Sequence, residues 1–482
     1  MAMETPDGNI IVHITMFGWI PIVMMLFKKL EARVAVAAAF VGGWMFLPIA
    51  SYHISGIPSY SKITATCVAI LAGAYVYDKE RFSEFHFSAA DLPMLLWCSA
   101  PFFSSIVNNL GIHDGLSQSM YQSITWGIPY YIARIYFTNE DSIKILALSI
   151  FIGSIVYMPF CWFEMIMSPQ LHRLTYGYHQ SDFMQTLRDG GGFRPMVYMD
   201  HGLMTSMWMA LGVFLGTWLL YTGELPENII SLPSRYLFIL LVITTIMMKS
   251  FGTIVLLLIG LMALYLSTRI KSAILIMIML LVPHLYMFTR TTGIWDGKNL
   301  TGFIANKFSA TRSQSLQFRF DNEKILIEKA LQGSLFGWGG YGRSRVYDEK
   351  GEDISITDGL WIITFGQNGI YGLTMMVIAI QWPIFLFIIL VKPDLWKTKT
   401  WGASAVMALF LSIFMIDNLL NAMINPIYML FSGSLIGMLL NSSKGLAVNR
   451  DTCLEADAEK NQTLHGTRFI PSPSMKPSRF IG

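Results

Sequence analysis

Most of this chain consists of apolar runs of about 20 residues, long enough to cross a membrane, separated by polar connections. A helix rises about 1.5 Å per residue, so each run can cross a hydrocarbon core of about 30 Å. Charged residues make up 13% of the 482 positions, whereas about a quarter is usual in a soluble domain. So few charges cannot cover a water-exposed surface. The sequence therefore predicts an all-α polytopic membrane protein.

The runs predict about 12 to 13 transmembrane helices, with boundaries placed to within about 2 to 4 residues. The run 359–391 is too long for one perpendicular helix, so we expect it to be tilted or to begin outside the membrane. The predicted spans are 10–27, 34–50, 61–77, 91–107, 120–137, 143–163, 197–221, 235–248, 253–268, 273–289, 359–391, 401–420 and 426–440.

Lysine and arginine are distributed unevenly between alternate connections. The short connections of one set carry only Lys62 and Lys249. The other set carries Lys28, Lys29, Arg33, Lys79, Arg81, Lys144, Arg235, Arg269, Lys271, Lys392, Lys397, Lys399, Lys444 and Arg450. The positive-inside rule then predicts an amino terminus outside, an uncleaved first span and a carboxyl terminus in the cytoplasm. Both long connections, 164–196 and 290–358, are predicted on the outer face, where we expect any chemistry.

Composition divides the chain into three parts. Residues 1–139 are predicted to form amino-terminal transmembrane helices, and residues 140–440 a membrane core that carries both long outer loops. Residues 441–482 are rich in polar residues and predict a disordered cytoplasmic tail. No basic patch with interleaved aromatics indicates nucleic-acid binding. No structural disulfide is expected, since the cysteines lie in apolar runs (Cys67, Cys98 and Cys161) or in the tail (Cys453).

The first long loop ends in DGGGFRPMVYMDHGLMTSMW, residues 189–208, with Arg194 directly before Pro195. Asp200 and His201 are expected within the first turns of the following span. An ionisable residue in a membrane segment is costly and indicates function. For Arg194, an anchor that reaches lipid headgroups is the alternative.

The second long loop contains SQSLQFRFDNEKILIEKALQ, residues 313–332, in which Leu316, Phe320, Ile327 and Leu331 recur at helical spacing. This pattern predicts an amphipathic helix on the outer membrane surface. Arg319 and Glu323 are four residues apart on one face of it, where a surface salt bridge is the alternative to a functional role.

Two further motifs follow in the chain. FGWGGYG, residues 336–342, permits a tight turn and a close approach of the backbone to a ligand or another helix. SITDGLWIITFGQNGIYGL, residues 355–373, places Asp358 at the outer mouth of a span. A carboxylate in this position is either a helix cap or a base at the edge of a low-dielectric region.

Taken in order, these motifs resemble those of the O-antigen ligase and O-antigen polymerase superfamily, which are bacterial membrane glycosyltransferases of the C type. The resemblance covers roughly residues 140–440. It consists of Arg194 with Pro195, the KSFG turn at 249–252, Arg319 ahead of GWGGYG, and Asp358 followed by Gly369 and Gly372.

The resemblance implies transfer of a glycan from an undecaprenyl-diphosphate donor to an acceptor hydroxyl at the outer leaflet, without a metal ion or other cofactor. Arg194 and Arg319 match arginines of the family, and Asp358 stands where ligases have a histidine. This departure favours a polymerase that joins repeat units over a ligase. The implied partners are the lipid-linked donor, the glycan acceptor, membrane lipids, a chain-length regulator and a flippase.

The catalytic candidates are therefore Arg194, Arg319 and Asp358. Our hypothesis gives Asp358 the role of general base or of orienting the acceptor hydroxyl, with both arginines on the diphosphate. His201 is the second candidate base. Further candidates for substrate binding, for which solvated or headgroup contacts are the alternative, are His201, Lys249, Arg312, Glu323, Arg343 and Arg345. The first outer loop, residues 51–61, has no acidic residue, although a metal-dependent enzyme of this class would be expected to carry carboxylates there.

Three other functions remain open from the sequence. Within the enzyme class, the chain is alternatively an O-antigen ligase that transfers glycan to lipid A core or to protein. A transporter or flippase predicts charges near the bilayer centre, whereas most predicted spans carry theirs at the ends. A structural scaffold leaves the paired arginines unexplained.

Overall fold

The structure is a computed structural model that describes residues 7–53, 58–188, 191–229, 231–307 and 310–442. Within these ranges most of the chain is helical, and two short antiparallel hairpins, Ser51–Tyr52 with Tyr60–Ser61 and Asn228–Ile229 with Leu232–Pro233, lie among the loops. The helices are α1 Ile10–Lys29, α2 Ala32–Phe46, α3 Lys62–Tyr77, α4 Glu80–Ser83, α5 Leu92–Val107, α6 Ile112–Gln122, α7 Ile128–Tyr136, α8 Glu140–Met167, α9 Leu171–Tyr176, α10 Gly202–Thr222, α11 Ser234–Met247, α12 Phe251–Ile270, α13 Ile274–Thr291, α14 Lys298–Lys307, α15 Ala310–Gln332, α16 Leu360–Leu390, α17 Lys399–Asp417 and α18 Pro426–Ser442.

Eight helices in the described ranges are long and apolar enough to cross a membrane, namely α1, α5 with the turn before it, α8, α10, α12, α13, α16 and α17. The shorter apolar helices α2, α3, α11 and α18 accompany them. The predicted span 120–137 is instead built from α6, a π-helical turn over Ser123–Gly127 and α7. These elements confirm the predicted all-α, multi-pass membrane fold.

Polar contacts between helix ends show which connections lie together. Glu140, at the start of α8, accepts a hydrogen bond of 2.7 Å from Thr400 at the start of α17. Glu224, just after α10, pairs with Lys144 and with Lys399. All of these residues belong to connections that the sequence predicts on the cytoplasmic side. These connections therefore lie at one end of the bundle.

The connections that the sequence predicts on the outer side contact one another at the opposite helix ends. Their contacts are Asn9 N to Tyr176 O at 2.9 Å, Lys62 Nζ to Tyr198 O at 3.2 Å, Asn108 Nδ2 to Gly337 O at 2.8 Å, Arg194 Nη2 to Lys249 O at 3.5 Å and Arg319 Nη1 to Leu420 O at 3.0 Å. Both long connections therefore lie at one end of the bundle.

Helices α10 and α17 form the centre of the bundle. About 78% of the apolar window of each is buried, against 22% for α1 and 28% for α12, which face outward. Small residues allow this packing, because an added Cβ at Gly212 of α10 would lie 2.4 Å from Ser154 of α8. The central helices thus give a rigid base to the connections at their ends.

Helix α16 is broken at Gly369, whose φ of 65° and ψ of −166° are not helical. The break separates Leu360–Asn368 from Ile370–Leu390, and the second segment alone is long enough to cross a core of about 30 Å. The unusual length of this apolar run therefore reflects two helical segments that join at a glycine.

Three further sequence predictions concern the tail, the division of the chain and the cysteines. Most of the predicted tail, from residue 443 onward, lies outside the described residues. The described residues up to Met438 belong to one compact unit, and the division at residue 139 stays a prediction. Cys67, Cys98 and Cys161 are buried free thiols.

Candidate active site

Arg319 and Asp358 form an ion pair between α15 and the residue before the cap of α16. The Nε of Arg319 lies 3.4 Å from Oδ2 of Asp358, and the two side chains are 29% and 38% exposed. The same guanidinium donates from Nη1 to Leu420 O at 3.0 Å and to Asn421 Oδ1 at 3.1 Å. Arg319 is thus fixed from three sides, while the pair stays accessible.

The pair lies in a narrow cleft lined by Arg319, Glu323, Leu326, Ile356, Asp358, Gly359, Ile362, Leu419 and Leu420. Gly359 permits the close approach of its two walls, since an added Cβ there would lie 2.5 Å from Leu419 O. The amide of Leu360 donates to the carbonyls of Asn418 and Asn421, both at 3.0 Å. Three predicted site residues, Arg319, Glu323 and Asp358, therefore share one cleft.

Glu323 pairs with Arg290 of α13, so the structure does not contain the surface salt bridge with Arg319 that was the alternative to a functional role. The Arg290 Nε lies 2.5 Å from Glu323 Oε1, and each side chain of this pair is 5% exposed. Tyr286 and Trp361 also donate to the same carboxylate. Burial raises the pKa of Glu323, and the hydrogen bond and charge of Arg290 oppose that shift. Glu323 therefore joins α15 to α13 and α16 beneath the cleft.

The apolar face of α15 packs against protein, which corrects its predicted position on the membrane surface. Phe320 is 2% exposed, and its ring centroid lies 5.5 Å from that of Trp295. Ile327 is buried as well, whereas Leu331, which the pattern placed on the same face, is 48% exposed. Phe320, Ile327 and Ala330 follow the helical repeat of 3.6 residues, and Leu331 lies beside that stripe.

Arg194 lies against the KSFG turn between α11 and α12. Its Nη2 donates to the carbonyl of Lys249 at 3.5 Å. Lys249 has a φ of 54°, and its ammonium group donates to the carbonyl of Gly191. These contacts bring Arg194 to the KSFG turn. The resemblance related these two motifs only by their order in the chain.

The buried Glu164 and the half-buried Gln180, which the sequence did not indicate, hold the backbone after Arg194. Oε2 of Glu164 accepts from the amides of Met196 and Val197 at 2.8 and 2.7 Å, and Oε1 accepts from Leu171 at 2.9 Å. The amide of Gln180 donates to the carbonyls of Val197 and Met199, each at 3.1 Å. Because Pro195 and these contacts shape the segment, α10 begins only at Gly202.

His201 caps α10, so the prediction that Asp200 and His201 lie within the first turns of the span is wrong. Its Nδ1 accepts from the amide of Leu203 at 3.1 Å, which leaves the proton on Nε2. Nε2 then donates to Oε1 of Gln185 at 2.9 Å. Both ring nitrogens of His201 are therefore engaged.

Charged residues of both long connections affect the pKa of His201. Burial, and then the positive charges of Arg194, Arg188 and Arg319, lower the pKa of His201 to about 4. Arg188 and Arg194 belong to the first long connection and Arg319 to the second. Arg188 Nη2 donates to the carbonyl of Gln185 at 2.8 Å, and the side chain of Gln185 accepts from His201, so Arg188 adjoins the site although the sequence did not indicate it.

The other predicted substrate-binding residues lie elsewhere or cannot be placed. Arg345 pairs with Asp353 in a turn closed by an antiparallel bridge between Tyr347 and Asp353. Arg343 is exposed. Neither lines the cleft. The side chain of Arg312 lies outside the described residues.

The FGWGGYG motif makes the predicted close approach, to another helix. The amides of Trp338 and Gly339 donate to the carbonyls of Gly366 and Gln367, both at 2.9 Å, beside the break in α16. An added Cβ at Gly337 would lie 2.4 Å from the carbonyl of Gln367. The motif therefore fixes the far end of the segment Leu360–Asn368, whose near end carries Asp358.

Within the described ranges, no group of three His, Cys, Asp or Glu side chains is placed to hold a metal ion. Arg319, Arg194 and Lys249 supply positive charge at this end of the bundle. Neither a family model nor a curated protein matches this chain.

Proposed function

We propose that this chain is a polymerase-type membrane glycosyltransferase. It joins undecaprenyl-diphosphate-linked repeat units of an O-antigen, capsule or exopolysaccharide at the outer face of the bacterial cytoplasmic membrane, with its amino terminus outside and its carboxyl terminus in the cytoplasm. The observation that carries the proposal is the accessible ion pair of Arg319 with Asp358, in which contacts with Leu420 and Asn421 fix the guanidinium.

Guanidinium groups suit the departure of a lipid diphosphate. The acceptor hydroxyl oxygen forms a bond to the anomeric carbon of the donor, and the bond from that carbon to the diphosphate oxygen breaks. The electron pair stays on the diphosphate, where negative charge grows. Arginine is permanently protonated and presents a planar set of donors to phosphate oxygens, so Arg194 and Arg319, assisted by Arg188, stabilise that charge.

Asp358 accepts the proton that the acceptor hydroxyl loses, or orients that hydroxyl. Its side chain is 38% exposed in the cleft, so a hydroxyl can reach it. His201 is less suited to this role because its Nδ1 lone pair accepts the Leu203 amide and its Nε2 already carries a proton. The contacts of His201 support a capping and positioning role instead.

A transporter or flippase is the rival from another class. Its coupling groups would lie near the middle of the spans. The buried pair of Asp91 and Arg134 lies at the start of α5 and near the end of α7, and Arg290 lies near the end of α13. Ion pairs at helix ends favour chemistry at the membrane surface. The ligase alternative is disfavoured only by Asp358, through the resemblance.

The first experiment expresses Arg194→Ala, Arg319→Ala and Asp358→Ala variants in cells that lack the wild-type gene, and compares their long glycan chains on a gel. We expect each variant to lose long chains at a wild-type protein level. The matched control is Arg173→Ala, because Arg173 is an exposed arginine of the same outer connection and does not line the cleft. Normal chains in all three site variants would refute the catalytic assignment.

A second experiment separates the three functions by the lipid-linked glycans that accumulate when the gene is deleted. A polymerase leaves single repeat units on the outer leaflet, and a ligase leaves full-length chains that are not attached. A flippase leaves single units on the inner leaflet. Periodate added to intact spheroplasts oxidises only the outer units, so single units that resist periodate would contradict the proposal.

A further inference from the structure

Tyr341, within the glycine-rich motif, is unusually exposed and conformationally strained for an aromatic residue. Its side chain is 74% exposed, and its φ is 59°, in the left-handed region that costs a side chain of this size free energy. A glycine would adopt the same backbone without that cost. The surrounding contacts therefore hold an aromatic ring in a position that local conformational preference disfavours.

The hydroxyl of Tyr341 is fixed by residues of α6. It donates to Oδ1 of Asp114 at 2.8 Å and accepts from Nε2 of Gln118 at 3.4 Å. Oδ2 of Asp114 in turn accepts from the hydroxyl of Ser105 at 2.7 Å, which ties the group to α5. Next to the ring, an added Cβ at Gly340 would meet nothing closer than the Gln118 amide at 4.0 Å. The ring is thus anchored at its edge while space remains beside it.

The orientation of α6 separates this group from the lipid-facing surface. Ile112, Leu116 and Met120 form an exposed apolar stripe on α6. At 100° per residue, Asp114 and Gln118 lie on the opposite face of the helix. An aromatic residue of the membrane-interface belt would lie on the apolar side, and Tyr341 is bonded to the polar side instead. Its hydroxyl is therefore held on the side of α6 away from the exposed apolar stripe.

An exposed ring beside a carboxylate and an amide has the chemistry that recognises a carbohydrate. The flat apolar face of tyrosine covers the C–H groups of a pyranose, and carboxylate and amide groups bind its hydroxyls. Resting on the proposed function, we infer that Tyr341, Gln118 and Asp114 form a glycan-binding subsite that holds the saccharide chain away from the reacting bond.

A helical segment connects Asp358 with the place where the glycine-rich motif docks. The segment Leu360–Asn368 carries Asp358 before its first residue, and the glycine-rich motif docks at its other end. Nine residues of helix span about 13 Å. That length suits an oligosaccharide rather than a single sugar, so the subsite would contact a saccharide residue remote from the bond that forms.

The test compares Tyr341→Gly, Tyr341→Phe and Tyr341→Trp in the full-length protein. Tyr341→Gly removes the ring and relieves the positive φ, so it is expected to fold at least as stably as wild type. Tyr341→Phe keeps the ring and loses the bond to Asp114. The binding probe is the oligosaccharide released by mild acid from the host's own surface polysaccharide, measured by saturation-transfer NMR on protein in nanodiscs.

We expect Tyr341→Gly to bind this oligosaccharide roughly 3- to 10-fold more weakly and to make shorter chains, with Tyr341→Phe and Tyr341→Trp close to wild type. If Tyr341→Gly binds and polymerises normally while Arg319→Ala abolishes long chains, the subsite is refuted and the proposed function stands. If Arg319→Ala leaves long chains unchanged, the proposed function fails. Loss of folding in Tyr341→Gly would show a structural role for the ring and overturn the inference.

Discussion

The guanidinium of Arg319 lies 3.4 Å from the carboxylate of Asp358 and also binds the carbonyl of Leu420 and the side chain of Asn421. One side chain thus joins the second long connection to the start of α16 and to the turn after α17. A residue that binds three partners in different directions depends on the planar shape of its donor group as much as on its charge.

Arg319→Lys is therefore expected to lose most activity although it keeps the positive charge. A lysine ammonium cannot reach all three partners and a diphosphate oxygen at once, so we expect at least a roughly tenfold loss, and about 100-fold for Arg319→Ala. The measurement is the rate of chain elongation in membranes supplied with lipid-linked repeats. Arg173→Lys serves as control, and full activity of Arg319→Lys would show that charge alone suffices.

His201→Asn distinguishes a cap from a base. Asparagine caps helices well, so we expect activity within about threefold of wild type at pH 7. A loss of 100-fold or more in a folded variant would identify His201 as the base.

The same substitution tests the electrostatics of the site. Burial and the neighbouring arginines lower the pKa of His201 to about 4, below its ordinary value of about 6.5. The stability that neutral His201 contributes is present in full above pH 6.5 and falls as the pH drops towards 4, because only the unfolded chain takes up the proton there. The melting temperature of wild type should therefore fall more steeply between pH 7 and pH 5 than that of His201→Asn. Equal slopes would contradict this electrostatic account.

The features that the sequence predicts well are local ones. Continuous apolar runs define α8 and α12, because a segment of that length must satisfy its backbone hydrogen bonds internally in a lipid environment. The uneven distribution of lysine and arginine between alternate connections identified the outer group, and the contact between Arg194 and Lys249 agrees with that grouping. Asp358 was recognised by its position at the start of a span.

Long-range pairings were not accessible from the sequence. In the sequence, Glu164 is an ordinary residue near the end of an apolar run, and only the fold brings the amides of Met196 and Val197 to it. Arg188 stands outside the motif that drew attention to Arg194. Helical spacing offered Arg319 as a possible partner for Glu323, but the fold brings Arg290 of another helix to it and buries both groups together.

Gly369→Ala tests the junction between the two segments of α16. Alanine is strained at a φ of 65°, and its Cβ would lie 2.4 Å from the carbonyl of Leu335, so we expect a loss of stability of about 3 kcal/mol or more. The matched control is Gly302→Ala in α14, where no atom lies within 4 Å, and which should stabilise by about 0.5 to 1 kcal/mol. Thermal unfolding in one detergent compares them, and equal effects would refute the assigned close packing.

For the pair of Arg290 and Glu323, we expect a double substitution to destabilise the protein less than a single one. Each side chain is 5% exposed, so Glu323→Ala leaves a buried guanidinium uncompensated, at a cost of about 3 to 5 kcal/mol. Replacing both with Arg290→Met and Glu323→Leu removes both charges and fills the space, so the double variant should unfold at a higher temperature than the single one.

The exposed pair of Lys298 and Asp296 supplies the control for this experiment. These side chains are 76% and 59% exposed, and Lys298→Ala should leave the unfolding temperature unchanged. Activity supplies a second readout, since Glu323 joins the helix of Arg319 to α13 and α16. Glu323→Ala should therefore lose activity even at a temperature where it stays folded, because Arg319 and Asp358 lose their fixed separation. A double variant less stable than Glu323→Ala would show that α15 is held by the charges themselves and not by the volume they fill.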